Sequence, residues 1–147
     1  MSEIYFVVEG NPRGKQRPRF ANGHAYTPRA TREYEDEIRR AYRETCRVWG
    51  RREMFPADVP LAVDVKAYKQ MPRSWSKAKK REFYCTPCQS KPDADNIVKA
   101  VLDALNGTAY TDDKQVTDIA VCKFWDSSGF VLITLKEADD GEGFCRG

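Results

Sequence analysis

The chain reads as a small single α/β domain, a mixed β-sheet with helices packed on it. Three observations predict this. Runs of β-branched and aromatic residues stand near both ends and in the middle of the chain. Between them lie segments whose apolar residues recur at helical spacing. The length of 147 residues, 41% hydrophobic and 32% charged, suits one domain with a real core. The expected order is β, basic loop, α, β, short α, α, β, β, which gives a sheet layered with helices. We expect one folded unit over residues 1–136 and an acidic, flexible tail over 137–147.

Each element has a local reason. Ile4-Tyr5-Phe6-Val7-Val8-Glu9 has strand composition and stops at Gly10-Asn11-Pro12. Residues 13–26 form a basic loop or hairpin, in which Asn22-Gly23 is a turn signal. Thr27-Pro28 suggests a helix cap followed by proline at the first helical position. Tyr34, Ile38, Ala41, Tyr42 and Val48 then predict a helix over about 30–48. Residues 50–60 read as a loop, and Leu61 to Lys69 reads as a strand with Leu61, Val63 and Val65 on one face.

Ser74 or Ser76 is positioned to cap a short basic helix that ends near Phe83. This helix is either an aid to polyanion binding or a solvated charged face. After a connector over 85–92, Asp93 or Asp95 caps a helix of about 95–106, with Val98, Val101, Leu102 and Leu105 on its apolar stripe. Asn106-Gly107 ends it. Strands at about 115–124 and 130–135 flank the turn Asp126-Ser127-Ser128-Gly129, so we expect them to pair as a hairpin.

Charge narrows the function. Residues 1–91 carry 20 Lys/Arg against 11 Asp/Glu, and residues 92–147 carry 5 against 11. A basic half attracts polyanions, of which nucleic acid is the commonest. No apolar run reaches the ~18 residues of a membrane span. The start of the chain lacks a signal-peptide pattern, so a cytoplasmic location is expected. Five cysteines include one C-x-x-C, Cys85 to Cys88. With His24 the sole histidine, we read these as free thiols rather than as a zinc site.

The densest chemistry lies in Lys91-Pro92-Asp93-Ala94-Asp95-Asn96-Ile97-Val98-Lys99 and in Asp112-Asp113. Asp93 and Asp95 are two apart at a helix mouth. Lys99 follows Asp95 by four, on the same helix face, and Asp103 follows Lys99 by four. Clustered carboxylates repel unless a cation sits between them, and oxygen ligands suit Mg²⁺. Taken singly, each feature has a structural explanation as a cap, a surface pair or a turn. Together, in a chain with a basic half, they fit metal-assisted phosphodiester hydrolysis with Lys99 beside the scissile phosphate. A non-catalytic nucleic-acid-binding module is the alternative.

Lys-Pro-Asp-x-Asp-Asn-x-x-Lys at 91–99, Val101-Leu102-Asp103-Ala104-Leu105-Asn106-Gly107, and Asp-Asp-x-Gln-Val at 112–116 together resemble the RusA family of Holliday junction resolvases. Gly14-Lys15-Gln16-Arg17-Pro18-Arg19-Phe20 and Tyr26-Thr27-Pro28 resemble the opening of phage and prophage members. The resemblance implies a homodimeric, Mg²⁺-dependent endonuclease, with Mn²⁺ able to substitute, that cuts four-way DNA junctions by paired nicks. It implies that Asp93, Asp95, Lys99 and Asp113 are catalytic. It implies metal ligation by Asp93, Asp95 and Asp113, with Asp112 as a further ligand or a supporting acid. Lys15, Arg17, Arg19 and Lys91 are the expected contacts to DNA.

Overall fold

The computed structural model describes residues 3–140. Its elements are strand β1 (Ile4–Glu9), the short strands β2 (Arg19–Ala21) and β3 (His24–Tyr26), helix α1 (Arg29–Trp49), strand β4 (Leu61–Gln70), helix α2 (Lys77–Phe83), helix α3 (Ala94–Leu105), a 3₁₀ turn (Asp113–Gln115), and strands β5 (Val116–Asp126) and β6 (Phe130–Glu137). The mixed sheet with helices against it is the expected α/β architecture. Residues 141–147, most of the expected acidic tail, lie outside the described residues. Glu137 itself closes β6.

Four strands form the main sheet in the order β1-β6-β4-β5. β6 runs antiparallel to both β1 and β4, while β5 runs parallel to β4. The expected hairpin between the last two strands is therefore wrong, because β4 lies between them. The turn residues 127–129 do reverse the chain, but turn chemistry sets reversal and not adjacency. Gln70, at the end of β4, pairs with Asp126, so the turn passes over the end of the central strand.

One face of the sheet is buried. Ile4, Phe6 and Val8 of β1, Val63, Val65 and Ala67 of β4, and Val131, Ile133 and Leu135 of β6 alternate into it. Tyr34, Ile38, Tyr42 and Cys46 of α1 pack there with Ile97, Ala100, Val101, Ala104 and Leu105 of α3. These helix positions recur at three and four, as a stripe facing a core requires. Each fully buried side chain of this size contributes about 1.5–3 kcal/mol of transfer free energy.

The helix ends follow the chain closely. Pro28, and not Thr27, is the N-cap of α1, a shift of one residue, and Gly50 closes the helix in the left-handed conformation at φ 66°. Ser76 is the cap of α2, its hydroxyl accepting from the Lys79 N–H at 3.1 Å. β2 and β3 pair as a hairpin whose turn residues, Asn22 and Gly23, both have positive φ. This is the two-residue turn that Asn-Gly favours.

Candidate catalytic edge along helix α3

The candidate residues lie along the exposed side of α3. Asp93 is its N-cap, yet the carboxylate makes no capping hydrogen bond. Asp95 sits in the first turn, where the helix dipole favours negative charge. Asp93, Asp95 and Lys99 are all exposed, and Lys99 forms no ion pair among the described residues. The opposite side carries Ile97, Val98 and Val101 into the core. The apolar stripe thus aims the polar face outward.

The basic loop is laced onto this helix. The Lys15 N–H donates to the Asn96 carbonyl at 3.0 Å. Gly14 approaches so closely that a Cβ there would stand 2.9 Å from the Asn96 Cβ and 3.1 Å from the Pro92 Cβ. Gly14, Lys15, Lys91, Pro92, Asp93 and Asn96 line a single surface groove. Two of the expected DNA contacts, Lys15 and Lys91, thus meet one expected catalytic acid. Connector residues 90–91 are braced from the sheet: the Lys69 Nζ donates to the Ser90 Oγ at 2.8 Å and to the Lys91 carbonyl at 2.6 Å.

The Lys15 ammonium does not point freely at solvent. It lies 2.7 Å from the Asp103 carboxylate and 3.1 Å from that of Glu35. Burial works to lower its pKa, but the hydrogen bonds to Asp103 and Glu35 outweigh burial, and the net shift is upward. Its charge is committed to joining the loop, α1 and α3. Arg17, Arg19 and Lys91 are exposed and form no ion pair among the described residues.

The two turn aspartates have different surroundings. The Asp112 carboxylate accepts from the Lys114 N–H at 3.0 Å and caps the 3₁₀ turn. It lines a separate groove with Asp58, Thr111 and Lys114. Asp113 instead faces the second half of α3. Its carboxyl pKa is raised, first by burial and then by the charges of Asp103 and Asp112, against the lowering influence of the Tyr110 hydroxyl. Tyr110 is fully buried, and its hydroxyl donates to the Leu102 carbonyl at 2.6 Å. Burial and the Asp113 and Asp103 charges raise its pKa in turn.

The four expected metal ligands are not drawn into one shell. Among the described residues no three His, Cys, Asp or Glu groups stand close enough to hold a metal ion. Asp95 and Asp103 are two helical turns apart, about 12 Å of rise. Asp113 lies at the Asp103 end. Like charge keeps such groups apart. The donor chemistry is nonetheless that of a hard cation, oxygen ligands alone, with Asp93 spared from capping.

The roles of three residues of this edge are not legible in the sequence. Glu35 and Asp103 hold Lys15. Gln115, buried, donates to the Pro56 and Val59 carbonyls at 2.6 and 2.9 Å and accepts from the Thr111 N–H at 3.2 Å. It pins the turn that carries Asp112 and Asp113. Its signal was present in the Asp-Asp-x-Gln-Val motif, read there only as part of a pattern.

Comparison with known proteins gives the family. The sequence profile of the family described as endodeoxyribonuclease RusA matches residues 9–136. The chain belongs to the RusA family. The match spans every element from the basic loop to the body of β6. A relative described as the uncharacterized protein YqaN of Bacillus subtilis strain 168 is 34% identical over 148 residues, covering 93% of this chain and 98% of the relative. The RusA family is one of endodeoxyribonucleases. No helix of the described residues is long and apolar enough to cross a membrane.

Proposed function

We propose that this RusA-family chain is a Mg²⁺-dependent, structure-selective endonuclease that resolves four-way DNA junctions by paired phosphodiester hydrolysis. It acts as a homodimer in the cytoplasm, with Mn²⁺ able to replace Mg²⁺. The observation that carries this reading is the exposed α3 edge. There Asp93 and Asp95 are uncommitted, and Lys99 stands one turn further on.

Asp93, Asp95 and Asp113 would hold the metal. Asp113 is favoured over Asp112 because it faces α3, whereas Asp112 is engaged as a cap. When bound, the metal supplies Lewis-acid activation of the phosphodiester. Lys99 stabilises negative charge that develops on the scissile phosphate. Arg17, Arg19 and Lys91 hold the DNA backbone, and Lys15 positions the loop that carries Arg17 and Arg19.

Nicking of a synthetic four-way junction, with and without Mg²⁺, tests the reading. Wild type should cut only with the metal. Asp95→Asn should abolish cutting and retain binding, and Lys99→Ala should slow cutting by about 10²–10³-fold. Asp113→Asn should be far more damaging than Asp112→Asn. A non-catalytic binding module would bind the junction and show no metal-dependent nick.

A further inference from the structure

Beyond the catalytic edge, the unassigned feature that carries furthest is the segment Arg73 to Tyr84, built around α2. We propose that it is a second DNA-contact surface, gripping the phosphate backbone of a duplex arm away from the cut. The inference goes beyond the proposed cleavage mechanism and takes from the family assignment only that the polyanion is DNA.

Charge carries the argument. The segment holds Arg73, Lys77, Lys79, Lys80 and Arg81 against one acid, Glu82. None of the five cations forms an ion pair among the described residues. Helix α1 is the contrast. Its Arg29, Arg39, Arg43 and Arg47 are each paired with a carboxylate, of Glu33, Asp36, Glu53 and Glu44. Four of the six α1 arginines are thus answered within the chain, whereas all five cations of the α2 segment are left for a partner. Phosphates are the complementary group, and each one neutralised releases a condensed counterion.

Packing does not account for α2. No residue of the helix is buried. Seven residues are too few to hold a helix in water by themselves. Aromatic rings hold it instead. The Trp75 ring lies 5.2 Å from Phe83 and 5.0 Å from Trp125 of β5. The Lys79 ammonium sits 4.4 Å from the Trp75 centroid. That clamp uses Lys79 and leaves Lys77 and Arg81, one turn apart, exposed.

The segment is also joined to the catalytic edge without slack. The Cys85 N–H donates to the Trp125 carbonyl at 2.9 Å, and the Cys88 N–H to that of Lys123 at 3.0 Å. The Lys123 Nζ donates to the Ser90 carbonyl at 2.8 Å. Three residues later comes Asp93. A backbone held at α2 is therefore held at a set distance from the cut.

The test is junction binding by fluorescence anisotropy in EDTA, across a salt series. The triple variant Lys77→Gln, Lys80→Gln, Arg81→Gln is compared with Arg29→Gln, Arg43→Gln, Arg47→Gln on α1, which removes the same net charge from paired arginines. The α2 variant should flatten the slope of log affinity against log salt by about 2–3, at ~0.9 per lost phosphate contact. The α1 variant should change it by less than one contact. Equal losses from the two variants, or no loss from the α2 variant, would overturn the proposal. Melting curves check that both variants fold. Because EDTA prevents metal-dependent cutting, the result is independent of catalysis. A chain that depends on α2 for binding yet never nicks would support this surface and sink the nuclease mechanism.

Discussion

Asp113 is exposed but stands near two other carboxylates, Asp103 and Asp112. Partial loss of water around its carboxyl and that charge raise its pKa above the ordinary 3.8. A carboxyl raised in the fold disfavours folding once it ionises. The cost is absent below the unfolded value and is present in full at neutral pH. Asp113→Asn should therefore melt higher than wild type at pH 7 in EDTA, and the gain should vanish as the pH falls below about 3.8. Thermal unfolding across pH measures this, and a variant that melts lower at pH 7 refutes it. Stability gained where activity is lost is the usual trade at a working site. Residue types at the edge were legible from spacing, because Asp93, Asp95 and Lys99 are near in sequence. Lys15 was not. Its partners Glu35 and Asp103 are brought to it only by the packing of α1 against α3, which no local pattern records.

At the scale of elements, the basic loop and α3 act as one unit. Gly14 is the point of closest approach, and its lack of a side chain lets the loop backbone reach the Asn96 carbonyl. A methyl group there meets the Cβ atoms of Asn96 and Pro92, so either the loop or the start of α3 must shift. Gly14→Ala should cost about 1–3 kcal/mol, as overpacking does. It should also lower junction nicking by up to about 10²-fold, since a displacement of about 1 Å is enough to spoil alignment. Denaturant unfolding and the nicking assay read the two effects. Nicking at the wild-type rate would show that the loop does not position the edge. The hairpin beyond the loop was legible because Asn22-Gly23 specifies its own turn. The short helix α2 was legible too, through its serine cap and its aromatic end.

For the whole molecule, sheet order was the part that local signals could not reach. Ile119 and Val121 share a face, and a turn follows them, so pairing with the next strand was the simplest expectation. The core chose otherwise. β4, apolar at alternate positions, takes the centre with β6 and β5 on either side, and β5 becomes an edge. This has a measurable consequence. In a terminal hairpin, Ile119 would share the buried face, but at the edge it is 52% exposed, whereas Ile133 of β6 is fully buried. Ile133→Ala should destabilise by about 2–5 kcal/mol. Ile119→Ala should stay within about 0.5 kcal/mol, the range for surface changes. Urea unfolding of both variants tests the strand order itself. Comparable losses from the two would place Ile119 in the core and refute the edge position of β5.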